Sequence, residues 1–201
     1  FSGDNITISG ATTAVQTTDG PITVSGDGFT LENNATVQSS SGAVSIDGDN
    51  ATLASGATLQ TTTSDITIAG DNGSIESAVQ TTDGNVILSG SGIGLDGGKV
   101  TTASGDITLT GSLNMTGDGA LEATSGTIAM NGAVTNATGG TETLTLITDN
   151  AVTQTDTTGI DVDALALQGP GTFTLDDADN QISLLTAGSS TERVAALTVN
   201  N

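Results

Sequence analysis

Short runs of alternating apolar and polar residues recur along this chain in groups of three. One group reads Ala43-Val44-Ser45-Ile46, the turn Asp47-Gly48-Asp49-Asn50, then Ala51-Thr52-Leu53, then Ala57-Thr58-Leu59-Gln60-Thr61-Thr62. Alternation over a few residues, broken by Gly, Asp and Asn, predicts short strands with one buried face. The first run repeats as Ile6/Ile8, Ile22/Val24, Val44/Ile46, Ile66/Ile68, Val86/Leu88, Ile107/Leu109 and Ile128/Met130. The middle run repeats as Phe29/Leu31, Leu53, Ile75, Ile93/Leu95 and Leu113/Met115, and the last as Val15, Val37, Leu59, Val79, Val100 and Leu121.

Two glycine columns keep step with these runs. Gly26, Gly48, Gly70, Gly90, Gly111 and Gly132 are separated by 22, 22, 20, 21 and 21 residues. Gly20, Gly42, Gly84, Gly105 and Gly126 form the second column, with Ser64 in the place of a glycine. A period of this length marks a solenoid, whose repeats are buried only by their neighbours. Side chains alternate across a strand, so the apolar sets face inward and stack into ladders at about 4.8 Å per coil. The expected fold is all-β: a parallel β-helix of about 20–22 residues per coil with three short strands in each. Regular coils are expected over residues 1–133. Less regular ones continue the same solenoid over 134–201, where Leu144/Leu146 recurs as Leu165/Leu167, Val152 as Phe173 and Ile160 as Ile182. About nine coils give a rod roughly 45 Å long. The only prolines, Pro21 and Pro170, are expected at turns or strand starts.

Composition narrows the function. Twenty-three acidic residues against Lys99 and Arg193 give a net charge of -21. No cationic patch is available for phosphates or anionic membranes, so nucleic acid is not an expected partner. Acidity with few aromatics also suits disorder, but a disordered tract has no reason to keep an apolar register. The absence of Cys and His removes disulfides, thiolate metal sites and the commonest general base. No apolar run approaches the roughly 20 residues of a membrane span. The chain opens at Phe1 without a methionine or signal peptide and reads as a mature or excised segment.

Residues 149–187, DNAVTQTDTTGIDVDALALQGPGTFTLDDADNQISLLTA, resemble the coils of bacterial filamentous haemagglutinin-type adhesins and related large surface proteins. The resemblance runs over nearly the whole chain. It implies a right-handed β-helix, secretion to the bacterial cell surface, and a role in attachment to cells or surfaces, without catalysis.

Three groups of residues are candidates for chemistry. Asp27, Asp49 and Asp71 each follow a column glycine and should stack as an acidic column, with Asp47 nearby. Carboxylates about 5 Å apart repel by roughly 0.8 kcal/mol per neighbouring pair even in water. Ca²⁺, which prefers oxygen ligands, would relieve that, although solvated turn aspartates need no ion. Gln16, Gln38, Gln60 and Gln80, flanked by Thr18, Ser40, Thr62 and Thr82, form a polar strip that continues as Thr101, Glu122 and Thr124. Such a strip stiffens a rod through an amide ladder or makes contact with glycans. The interrupted outward column Thr7, Thr23, Ser45, Thr67, Ile87, Thr108 and Ala129 argues against ice binding. Acid pairs such as Asp161/Asp163 and Asp176/Asp177 could serve a carboxylate-only polysaccharide hydrolase, and read more simply as hydrated turn or strand-edge charges. Sequons at Asn5, Asn34, Asn50, Asn72, Asn114 and Asn136 permit glycosylation.

Neither terminus carries a recognisable cap, so each end coil should present strand edges to further coils or to another copy. The expected function is that of a stiff adhesive or structural segment at the bacterial surface, of the kind found in filaments and biofilms. Its expected partners are itself, neighbouring cells or surface glycans. The rival reading is a fibre subunit polymerising end to end by strand addition.

Overall fold

The structure, a computed structural model, describes residues 1–10, 13–137, 139–155, 158–188 and 193–201. Every regular element among them is a strand, and the 25 strands form three parallel sheets. Sheet A starts at Ile22–Ser25 and ends at Ala196–Val199, sheet B runs from Asn5–Ile8 to Val134–Asn136, and sheet C from Ala14–Thr17 to Gln181–Ala187. Sheets A and C have nine strands each and sheet B seven, which makes a solenoid of about nine coils. Register offsets of 22, 20 and 21 residues along Ile22, Val44, Ile66, Val86 and Ile107 match the spacing of the glycines.

The core is a set of ladders. In sheet A, Val24, Ile46, Ile68, Leu88, Leu109 and Met130 stack in successive coils. In sheet C, Val15, Val37, Leu59, Val79, Val100 and Leu121 do the same, followed by Leu146 and Leu167. Nearly all of these are buried, and one continuous cluster joins Ile8 to Ile182. Phe29, buried in sheet B, is in register with Ala51, and Gly73 follows one coil further on. A large side chain over small neighbours keeps the volume of the stack constant.

Two registers differ from the sequence expectation. Ile6 and Ile8 belong to sheet B, where they pair with Phe29 and Leu31, and Thr7 therefore leaves the sheet A column and pairs with Thr30. Ile182 pairs with Val162 and not with Ile160, which instead bridges to Val134. The second correction reflects the changing number of sheets per coil. Sheet B ends at Val134–Asn136, and Ile160 is its last trace. Sheet C compensates with longer strands, Thr143–Thr148, Asp161–Gln168 and Gln181–Ala187. Offsets also stretch to 24 residues between Ile128 and Val152 and 25 between Leu121 and Leu146, which is why the glycine columns fade there.

In these last coils a polar residue enters the core. Gln154 occupies the inward position after Met130. It exchanges two hydrogen bonds with buried Asn180: Gln154 Nε2 donates to Asn180 Oδ1 at 2.7 Å and Asn180 Nδ2 to Gln154 Oε1 at 3.1 Å. Asn180 also accepts from the Ile160 amide and donates to the Leu175 and Asn200 carbonyls. The amide pair satisfies backbone groups near the corner that sheet B vacates, as a buried polar network must.

The second glycine column has a partner that the sequence reading missed. Ser39, Thr61, Thr81, Thr102 and Thr148 are buried hydroxyl residues at the corner between sheets C and A. Thr102 Oγ1 accepts from the Gly105 amide at 3.0 Å and donates to the Gly84 carbonyl of the preceding coil at 2.9 Å. Ser39 does the same with Gly42 and Gly20, and Thr81 with Gly84 and Ser64. Each of these three closes its own turn and ties it to the coil before, whereas Thr61 donates to the Ser64 carbonyl of its own turn and to Thr81 Oγ1 of the next coil. Thr102→Val keeps the shape and orphans a buried N–H and C=O, so it should destabilise by about 1–3 kcal/mol in denaturant melts. Thr101→Val, at the outward neighbour, should change little.

Candidate functional site

The strip expected from the sequence forms one outer face of sheet C. Gln16, Gln38, Gln60, Gln80, Thr101 and Glu122 are in register across six coils. Thr18, Ser40, Thr62, Thr82 and Thr124, exposed at the turn two residues later, make the second row. The rows flank a shallow groove in two connected stretches. One of about 250 Å³ runs from Gln16 to Ser40, and one of about 460 Å³ from Gln38 to Thr124. Alternation places these side chains outward because their neighbours Val37, Leu59 and Val79 are buried.

The amide ladder on this face reverses direction. Gln16 Nε2 donates to Gln38 Oε1 at 3.4 Å, whereas Gln80 Nε2 donates to Gln60 Oε1 at 2.6 Å. Gln38 and Gln60 are paired in register, and each accepts from its outer neighbour. Their two amino groups are therefore left without an acceptor among the described residues, at the second and third coils of the groove. At the far end Lys99 Nζ meets Glu122 Oε2 at 2.5 Å, the one ion pair among the described residues.

Asp27, Asp49 and Asp71 are exposed in consecutive coils, and among the described residues no three acidic side chains gather where they would hold an ion. Asp71 Oδ1 instead accepts from the Ser91 amide of the next coil at 2.7 Å, a bond that lowers its pKa below the ordinary carboxylate value. The same device recurs elsewhere. Asp65 accepts from the Asn85 amide, Asn85 from Asp106, and Asp106 from Thr127, while Asp118 accepts from Thr143. Carboxylate and amide oxygens alike fasten one coil to the next, a role invisible in the sequence because Asn serves as well as Asp.

A carboxylate with a depressed folded pKa stabilises the fold above its unfolded pKa, and that contribution disappears as pH falls through the folded value. Asp71→Asn keeps an acceptor and removes the titration. The difference in melting temperature between the parent chain and this variant should be constant above about pH 5 and change on further acidification. A difference independent of pH would show that the bond to Ser91 is not made by the carboxylate.

The other candidates are dispersed. Asp161 and Asp176 are exposed. Asp163 Oδ2 accepts from Asn136 Nδ2 at 3.2 Å. Buried Asp177 accepts from the amides of Thr158 and Asp179. The six sequon asparagines all lie on sheet B or at its two rims, where Asn5, Asn34, Asn50 and Asn72 are exposed and Asn114 and Asn136 half-buried. Thr138, which completes the last sequon, is outside the described residues.

No family model, curated protein or solved structure matches this chain.

Proposed function

We propose that this chain is a stiff, non-catalytic solenoid segment of an extracellular bacterial surface protein, of the filamentous haemagglutinin-like adhesin kind, with the grooved face of sheet C as its contact surface. The observation that carries the reading is the continuous nine-strand parallel ladder of sheet C beneath a polar groove. Strand ladders shared by every coil resist bending, and a groove that repeats coil by coil suits an elongated contact better than a single small ligand. A net charge of -21 keeps neighbouring rods apart in solution.

A second reading, a fibre subunit growing by strand addition, is favoured by the last coil. There Leu184, Leu185 and Leu197 are 58, 37 and 39 % exposed beside the free edges of Gln181–Ala187 and Ala196–Val199. That edge suits further coils of its own chain equally well. Small-angle scattering and negative-stain electron microscopy of the isolated chain separate the two. Discrete rods roughly 45 Å long support the stalk, and long unbranched fibres support the subunit.

A further inference from the structure

We propose that the sheet C groove binds an uncharged, extended polysaccharide lying along the solenoid axis, with Gln38 and Gln60 as its central hydrogen-bond donors; this rests on the reading of that face as the contact surface. The groove crosses six coils, from Gln16 to Thr124, a span of about 24 Å. Its walls are amides and hydroxyls, groups that donate and accept as sugar hydroxyls do. The rise per coil is close to the length of one ring in an extended β-linked glycan, so successive rings meet successive glutamines over the four coils from Gln16 to Gln80.

The reversed amide ladder supplies the specific feature. A ladder of uniform direction occupies one N–H and one carbonyl lone pair of each amide, leaving a single N–H per residue for a ligand. Here the reversal leaves two adjacent groove residues, Gln38 and Gln60, with amino groups that have no acceptor among the described residues. Both residues are half-buried, which holds the donors in place. A ligand with acceptor oxygens at one-coil spacing completes the ladder.

Charge decides which glycan. A polyanion also carries acceptors, but it would approach a chain of net charge -21 against repulsion. The nearest basic group, Lys99, is already paired with Glu122. Of the three aromatic residues, Phe29 and Phe173 are buried and Phe1 is the first residue, remote from the groove in sequence. Ring stacking is therefore absent from the groove, and binding strength comes from many weak hydrogen bonds repeated along one chain. Long polymers should bind far better than short oligosaccharides.

Affinity electrophoresis of the whole chain through gels containing hydroxyethyl cellulose, galactomannan, amylose or polygalacturonate tests this. Retardation is expected in at least one neutral polymer and not in polygalacturonate. The double variant Gln38→Ala/Gln60→Ala should lose about tenfold or more in apparent affinity, while Thr23→Ala on sheet A binds as the parent does. Both variants change outward-facing residues, and circular dichroism melts should confirm that the coil stack persists. No retardation in any neutral polymer, equal retardation of the double variant, or stronger retardation in polygalacturonate overturns the proposal. If microscopy still shows discrete rods, only the ligand class falls and the stalk reading stands.

Discussion

Leu109→Asp is expected to abolish the cooperative melting of the solenoid near neutral pH. Leu109 is fully buried and stacks between Leu88 and Met130. Removing a buried leucine costs about 2–5 kcal/mol. The introduced carboxylate has no basic partner in the core, and taking it out of water costs several kcal/mol more. Together these rival the whole stability of an ordinary domain, about 5–15 kcal/mol. Coils in a solenoid depend on their neighbours, so the loss should spread outward from the fifth coil and not stay local. The control is Thr108→Asp on the adjacent outward position, which should melt within about 0.5 kcal/mol of the parent. Acidification should partly restore the Leu109 variant, because a buried carboxyl is tolerated far better neutral than charged. A parent-like melt for Leu109→Asp at neutral pH would mean that the inward assignment is wrong.

Gly111→Ala should have the next largest effect, for a steric reason and not a conformational one. Only some members of the first glycine column have the positive φ that favours glycine, among them Gly70 and Gly90. What all share is contact along the stack: a Cβ at Gly48, Gly70, Gly90, Gly111 or Gly132 would lie inside 3.0 Å of the carbonyl oxygen of the column glycine one coil earlier. A backbone oxygen in a short turn fixed between two paired strands has little room to rotate away, so the coils must part. The expected cost is about 1–3 kcal/mol or more, read as a lower denaturation midpoint. Gly3→Ala, whose nearest neighbour would be Ile6 Cγ1 at 3.9 Å, should be close to neutral. Comparable melting of the two variants would remove close approach as the origin of the column.

How much was legible can be judged from particular residues. The ladder from Val15 to Leu121 appears in the structure as the alternation predicts, and so do Leu144/Leu146 with Leu165/Leu167 and Val152 with Phe173. The misplacement of Ile6/Ile8 had a signal: Ile6 stands only 16 residues before Ile22 but 23 before Phe29, its true partner. Ile160 and Val162 offered no such choice, since spacings of 22 and 20 to Ile182 are both normal for this chain. The buried hydroxyl column was also written in the sequence, as a Ser or Thr three residues before Gly20, Gly42, Ser64, Gly84 and Gly105. It passed unnoticed because Thr is abundant and an inward hydroxyl looks no different from an outward one. The Gln154–Asn180 pair left no periodic trace at all.

Of the candidate face, the sequence determined which residues share a row, because a period of two within strands and of 20–22 between coils leaves outward positions no other place. It also determined the length of each turn of the solenoid, through glycines that alone permit coils to approach so closely. Only the tertiary structure decided which of two permissible coils a strand pairs with, where the third sheet ends, and which way each glutamine amide points. Those choices depend on competition between neighbouring groups for the same hydrogen bonds and the same buried volume. That competition exists only once the coils are stacked.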